Sequence, residues 1–398
     1  MYKNKAVFVF HDTDYFSGGT RSLLDLLDSF IQDNRFECIA IVPDKTGTAV
    51  SYLRKQCISI IYSRYYQINY LTDEGVLKYL FRLPKRLKRL VITLINGRKL
   101  SRKLEAYNID SVYSNTGFII TGLLIKKYIP NVTHLWHLRE FGEEDHHYGI
   151  LFGRKIYYYL LNKYTDEVIL ISKALNKKFE QHIVVPNISI IYDDVSGNYI
   201  QPAGKKYVEG ETMNILMAGL ICEGKGQIQA LKAVKILKSK SVPVKLFLAG
   251  SFVNNQYKNL LEKFVSDNNL ESEVQFMGMV EDINGLRRKM KFGIIASSSE
   301  AFGRVTIEGM LSEMCMIGAN VGGTKELIEN ESTGLLYENG NYIQLAEIVH
   351  KLYCSPSLVN EIRQQGFLTA LRFTEGKCSE SVKEILMKSQ NTYKGVNT

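Results

Sequence analysis

Glu300-Ala-Phe-Gly-Arg-Val-Thr-Ile-Glu308 is the stretch on which the reading of this chain turns. It follows a short apolar run, Phe292 to Ala296, and a serine cluster, and it opens a helix predicted to run towards Met316. In a strand, serine-glycine turn and helix, the helix start leaves backbone N–H groups that can hold phosphate. Glu300 and Glu308 bracket the turn, eight residues apart. The first lies in the loop and the second about two helical turns or less inside the helix, so they do not stack neatly on one face. Both can still converge on one elongated ligand lying across the helix start, each accepting hydrogen bonds from hydroxyls. A phosphate flanked by two hydroxyl-rich groups describes a nucleotide sugar. A Glu-x7-Glu pair also occurs on solvated helices, and the surrounding sequence has to separate the two.

Outward from this stretch the chain alternates short apolar strands with helices. Strands are predicted at 6–10, 38–42, 58–62, 111–114, 133–137 and 167–171, with helices at 21–31 and 48–56 between the first of them. The pattern loosens between Asn187 and Glu211, where Gly197, Pro202 and Gly204 suggest a linker. It then restarts, with strands at 215–218, 245–249, 274–277, 292–296 and 316–319 and helices at 227–238 and 257–268. Such alternation implies parallel sheets with helices on both faces. The predicted class is α/β, with two Rossmann-like βαβ domains facing across a cleft. Their bounds are 1–190 and 213–375, joined by a linker at 191–212, and a C-terminal helix in 376–398 is expected to pack back on the first domain. Ligands in such sheets bind beyond the carboxyl ends of the strands.

A length of 398 residues suits two domains, each with its own core. The 45% hydrophobic and 23% charged content fits an ordinary globular protein. Six scattered cysteines without a C-x-x-C pair argue for reduced thiols over a disulfide frame or zinc site. The N-terminal apolar run is too short for a signal peptide, and no stretch approaches about 18 apolar residues. A cytoplasmic protein is expected. The net charge of +9 is uneven: from Arg82 to Lys103 lie nine Lys and Arg without one acidic residue, interleaved with apolar residues at helical spacing. Pro84 is placed in the first turn of that helix. It reads as a solvated helix with its apolar face in the core, or as one lying on anionic lipid. Nucleic acid is disfavoured, since no recognised motif accompanies the charge.

The longer stretch Ser297-Ser-Ser-Glu300-Ala-Phe-Gly-Arg-Val-Thr-Ile-Glu308-Gly-Met310, with Gly322-Gly-Thr-Lys-Glu326 and Thr333-Gly-Leu-Leu-Tyr337, resembles the donor-binding half of the family-4 retaining glycosyltransferases. These are GT-B enzymes of glycosyl transferases group 1, many of them in bacterial surface-polysaccharide assembly. The likeness is dense from Met213 to Tyr342 and reduced to islands before it, at 18–21, 137–141, 168–173 and 184–187. It implies transfer of a hexose or N-acetylhexosamine from a nucleotide diphosphate, with retention and without a metal or cofactor. A UDP-sugar is favoured, and the acceptor is a saccharide, expected to be lipid-linked at the inner membrane face. It also implies roles. Glu300 and His137 act on the sugar; Lys225 and the amides from Phe302 through Gly303 and Arg304 to Val305 hold phosphate; Glu308 accepts from the ribose. Val280 lies in the loop that brackets the base, Gly19 approaches the diphosphate from the first domain, and Arg139 faces the acceptor.

Several of these residues have plainer readings. Gly18-Gly19 can be an ordinary tight turn, and Lys225 a surface lysine. Family members carry an arginine where this chain has Leu220, five residues before Lys225, so one of two expected phosphate cations is missing and Arg304 is the substitute on offer. His134, His137 and the run Glu143-Glu-Asp-His-His147 hint at a metal, but the spacing lacks a completing motif and a mobile loop over the acceptor fits better. Asp12-Thr-Asp14 resembles a metal-holding D-x-D, yet its place after the first strand suits the acceptor side. Two rivals stand beside transfer: a nucleotide-sugar epimerase of the same fold, and a non-catalytic donor-binding scaffold subunit.

Overall fold

The computed structural model describes residues 3–395 except 16, 73, 202, 203 and 205, and the side chains of these apart from 146 and 389–395. The chain forms two compact units, one of residues 1–194 with 376–398 and one of residues 195–375. Part of the stretch predicted as a linker, including Pro202, lies outside the described residues.

In the first unit β1 (Asn4–Val9), β2 (Phe36–Val42), β3 (Ser59–Tyr62), β5 (Ser111–Ser114), β6 (Thr133–Leu138), β8 (Glu167–Leu170) and β9 (Asn187–Ile190) form one sheet in the order β3-β2-β1-β5-β6-β8-β9. Its pairings are all parallel. β4 (Asn69–Leu71) and β7 (Tyr148–Ile150) make a separate antiparallel pair. Alternation along β1 supplies both faces. Ala6 and Phe8 pack with α1 (Gly18–Ile31) and α2 (Thr48–Lys55), while Val7 and Val9 pack under Leu100 and Leu104 of α3 (Val76–Glu105) and Ile125 of α4 (Thr121–Tyr128). The last helix, Lys377–Gly395, returns Cys378, Val382 and Leu386 to the first of these clusters.

In the second unit β10 (Met213–Ala218), β11 (Val244–Ala249), β12 (Val274–Gly278), β13 (Phe292–Ile295), β14 (Cys315–Ala319) and β15 (Leu335–Tyr337) run parallel in the order β12-β11-β10-β13-β14-β15. Strand order reverses once in each sheet, at β1/β5 and at β10/β13. Those reversals open a crevice beyond the strand ends. Every sequence residue of interest after β1, β5, β10 or β13 therefore falls at one of two places.

Pro84 corrects an expectation. α3 begins at Val76, so the proline lies in the helix interior and not in its first turn. A proline there removes one hydrogen bond and crowds a carbonyl. The helix continues through it on a segment that faces solvent, where the freed carbonyl of Leu80 can be hydrated.

Candidate active site

The crevice of the second unit is built from the turns after β10 and β13. β10 ends in Gly219-Leu220, and a single 3-10 turn, Glu223–Lys225, precedes the helix Gln227–Ser239. Gly226 between them has φ 69°, and a Cβ there would overlap the carbonyl of Ala296, so glycine lets the two turns touch. The Ser298 amide closes the same contact on the carbonyl of Gly224 at 2.9 Å. Lys225 thereby reaches Glu300, Nζ to Oε2 2.9 Å, and Ser297 donates to the same carboxylate at 3.0 Å. Two residues 75 apart in sequence meet because the switch point joins their strands.

Gly303, at φ 98°, starts the helix Arg304–Leu311, whose first turn has no side-chain cap and no acidic residue. A helix start of this kind is one on which backbone amides can hold an anion. Gly322 and Gly323 pack so tightly on Glu300 and Phe302 that any Cβ would overlap their backbone, and the Gly323 amide donates to the Glu300 carbonyl at 2.6 Å. That clamp fixes the loop carrying Glu300. Glu308, in the second turn, is 4% exposed. One of its oxygens accepts from Arg304 Nε at 3.0 Å and the other from Arg287, and both guanidinium groups lie over the ring of Tyr199, at 5.8 and 5.4 Å. The helix ends at Leu311 and does not reach Met316.

Arg304 was the candidate substitute for the cation lost at Leu220. Its Nε donates to Glu308, and the cation paired with Glu300 is Lys225. Leu220 itself is exposed in the turn after β10. Val280 is half-buried just past β12, on the loop before the short helix Ile283–Arg287. Arg287 was not singled out in the sequence; its position 21 residues before Glu308 carries no periodic signal.

The first unit repeats the arrangement at β1/β5. Gly19 opens α1, and its carbonyl accepts from Asn115 Nδ2 at 2.7 Å, linking the turns after β1 and β5. A Cβ on Gly19 would press against the ring of His11 at 3.0 Å. His11 lies 3.1 Å from Asp12 and 3.3 Å from Ser17 Oγ. Burial alone would raise the Asp12 pKa, but the hydrogen bond and charge of His11, with the Thr20 and Ser17 hydroxyls, hold it below the usual value. Asp14 accepts from Thr48 Oγ1 at 3.4 Å. His11 is a functional candidate that sequence reading passed over; its mark was its position directly after β1, before the glycine turn.

His137 and Arg139 are both buried. His137 is 0% exposed in the middle of the unit, its Nδ1 2.6 Å from Tyr113 Oη and 3.1 Å from Arg139. Burial, then the charge of Arg139, lower its pKa far below the ordinary value. Arg139, also buried, donates to Asp193 and, at 2.8 Å, to Asn115 Oδ1. The other ring nitrogen of His137, Nε2, is buried without a hydrogen-bond partner among the described residues, and Arg139 braces the Gly19 turn through Asn115. The Glu143 to His147 run forms a short helix, Glu143–His146, in which Glu143 pairs with Arg154, Glu144 with Lys178, and Asp145 accepts from the amides of Phe141 and Gly142. The His146 side chain lies outside the described residues. Among the described residues no group of three or more His, Cys, Asp and Glu is arranged to hold a metal.

Residues 204–368 match the family model of glycosyl transferases group 1. EpsD of Bacillus subtilis, a glycosyltransferase by name, is 30% identical over 162 residues, 40% of this chain and 42% of that protein. CapM of Staphylococcus aureus, a capsular polysaccharide biosynthesis glycosyltransferase, is 30% identical over 149 residues, 37% of this chain and 38% of CapM. The aligned stretches thus span about two fifths of these relatives. Among solved structures, Anabaena HepE in complex with UDP and glucose superposes with a TM-score of 0.76 at 19% identity, covering 97% of this chain and all of that one. The fold is GT-B: two Rossmann-like units of the kind described above. The crevice at β10/β13 lies within the group 1 glycosyltransferase segment.

Proposed function

We propose that this protein is a retaining, metal-independent glycosyltransferase that moves a hexose or N-acetylhexosamine from a nucleotide diphosphate to a saccharide acceptor in surface-polysaccharide synthesis. The observation that carries the reading is the β10/β13 crevice, where Lys225 pairs with Glu300 just ahead of the uncapped helix that carries Glu308. Lys225 and the amides from Phe302 to Val305 are suited to the diphosphate, whose leaving charge they would stabilise. Glu308 would accept from the ribose hydroxyls, a carboxylate being a group that takes several donors at once. Glu300 would accept from a sugar hydroxyl and steady positive charge at the anomeric carbon. As the carbon–oxygen bond to the diphosphate breaks, the leaving oxygen takes the acceptor's proton and the acceptor oxygen bonds the same carbon face. UDP is the favoured nucleotide, as in the HepE complex. A saccharide carried on a lipid is the favoured acceptor, and EpsD and CapM suggest the pathway type.

Thermal shifts with UDP, GDP and ADP, each with and without EDTA, test the donor site. One nucleotide should stabilise the wild type regardless of EDTA; at about a hundred times Kd the effect is roughly 2.7 kcal/mol. The variant must be Glu308→Gln. Glu308→Ala would strand the buried Arg287, a loss of about 3–5 kcal/mol that confounds the measurement. An unchanged nucleotide response in Glu308→Gln would remove Glu308 from the site. No response in the wild type would favour a scaffold subunit, for which the exposed Leu220 already speaks, and turnover without an acceptor would favour an epimerase.

A further inference from the structure

α3 buries residues only in its C-terminal part. Thr93, Gly97, Leu100, Ser101 and Leu104 are buried, whereas none of residues 76–92 is. The earlier part is nevertheless apolar along one side. Leu77, Phe81, Leu87, Val91, Leu94 and Ile95 recur at helical spacing, so they share a face, and they are 41–87% exposed. A continuous apolar stripe in water marks an interaction surface. The same helix carries ten Lys and Arg against one carboxylate, Glu105.

Charge decides what covers the stripe. Two copies of this face, paired about a two-fold axis, would bring one basic helix against another. An anionic surface is complementary to it. Beside the stripe, between α3 and the β4/β7 pair, lies a groove of about 560 Å³ lined by Tyr66, Tyr70, Tyr148, Lys85, Arg86 and Arg89. Arg86 is held there by the buried Glu74 and by the rings of Tyr70 and Tyr79. Arg89 lies over Tyr66 at 5.1 Å, and neither it nor Lys85 has a carboxylate partner among the described residues. Preorganised, uncompensated cations beside a lipid-length apolar strip suit phosphate headgroups.

We infer that α3 is an interfacial helix whose apolar stripe enters an anionic bilayer surface, with Lys85 and Arg89 at the adjoining groove taking lipid phosphates. The binding needs neither donor nor acceptor, so its failure would leave the transfer reading standing, and the reverse holds too. The test is flotation of the full chain with vesicles of phosphatidylcholine alone or mixed with phosphatidylglycerol, at low and raised salt. The wild type should float with the mixed vesicles, less so at high salt. Leu77→Glu/Phe81→Glu should lower the bound fraction about tenfold. Lys85→Ala/Arg89→Ala should remove the preference for phosphatidylglycerol. These sites are exposed, and unchanged circular dichroism would show that the variants fold. Equal binding to both vesicle types, or no loss in the stripe variant, would overturn the inference. So would a stripe variant that changes only the mass in solution, which would assign the face to a second copy.

Discussion

At the scale of single residues, burial sets how two histidines titrate. His134 is fully buried at the start of β6, with Nδ1 2.7 Å from the Tyr164 carbonyl and Nε2 3.0 Å from Ser114 Oγ. That geometry suits the neutral ring, Nδ1–H donating and Nε2 accepting. Burial lowers its pKa to about 4. The unfolded chain takes up the proton first, near pH 6.5, so the contribution is complete above that pH and is lost as pH falls towards 4. From pH 7 to 5 the loss is about 2 kcal/mol, with His137 acting in the same direction. The urea midpoint of the wild type should therefore drop over this interval, and that of His134→Gln should drop less from a lower start. Parallel slopes would mean that His134 does not titrate. In the sequence His137 stands beside Arg139 and Glu140 as a cleft constellation, and β6, buried along its whole length, gives no alternation to say which face each side chain takes.

At the scale of elements, α3 and α4 show how one glycine holds a long helix in place. A Cβ on Gly97 would overlap Leu124 of α4. Gly97→Val should destabilise the first unit by about 1–3 kcal/mol, the range for overpacking, despite removing a helix-weakening glycine. The readout is the urea midpoint followed by hydrogen exchange of residues in β1 and α4, and an unchanged midpoint would show that Leu124 yields freely. Elements of this kind were only partly legible. Long periodic strands such as β1, β2, β10 and β11 announced themselves through apolar runs between turns. β4, β7 and β15 have three residues each, too few for any period, and depend on their neighbours. Glu300, Lys225 and Gly19 could be singled out because each follows a strand and sits at a glycine-bearing or serine-bearing turn. Arg287 and Asn115 act through partners far away in sequence, which no local pattern records.

At the scale of the whole molecule, the first unit is completed by residues that come after the second. The chain leaves it at Asp194 and re-enters at Gly376. Asp194 caps the returning helix, accepting from the amides of Cys378 at 3.1 Å and Ser379 at 2.9 Å and from the Ser379 hydroxyl at 2.8 Å. Beyond the cap, Cys378, Val382 and Leu386 are each no more than 2% exposed in the core shared with Phe8 and Phe30. Burying a valine or leucine side chain contributes about 1.5–3 kcal/mol. Losing these side chains together would therefore remove a large part of the roughly 5–15 kcal/mol that holds a domain folded. A chain ending at Glu375 should lose hydrogen-exchange protection in β1, β2 and α1, while β10, β11 and β13 keep theirs. Cys378→Ser alone should shift the first unit modestly, because its buried thiol is unionised, its pKa pushed far up by burial. If the truncated chain kept full protection in β1, the last helix would be ornament to a self-sufficient sheet. Equal loss in both units would instead make the two a single cooperative body.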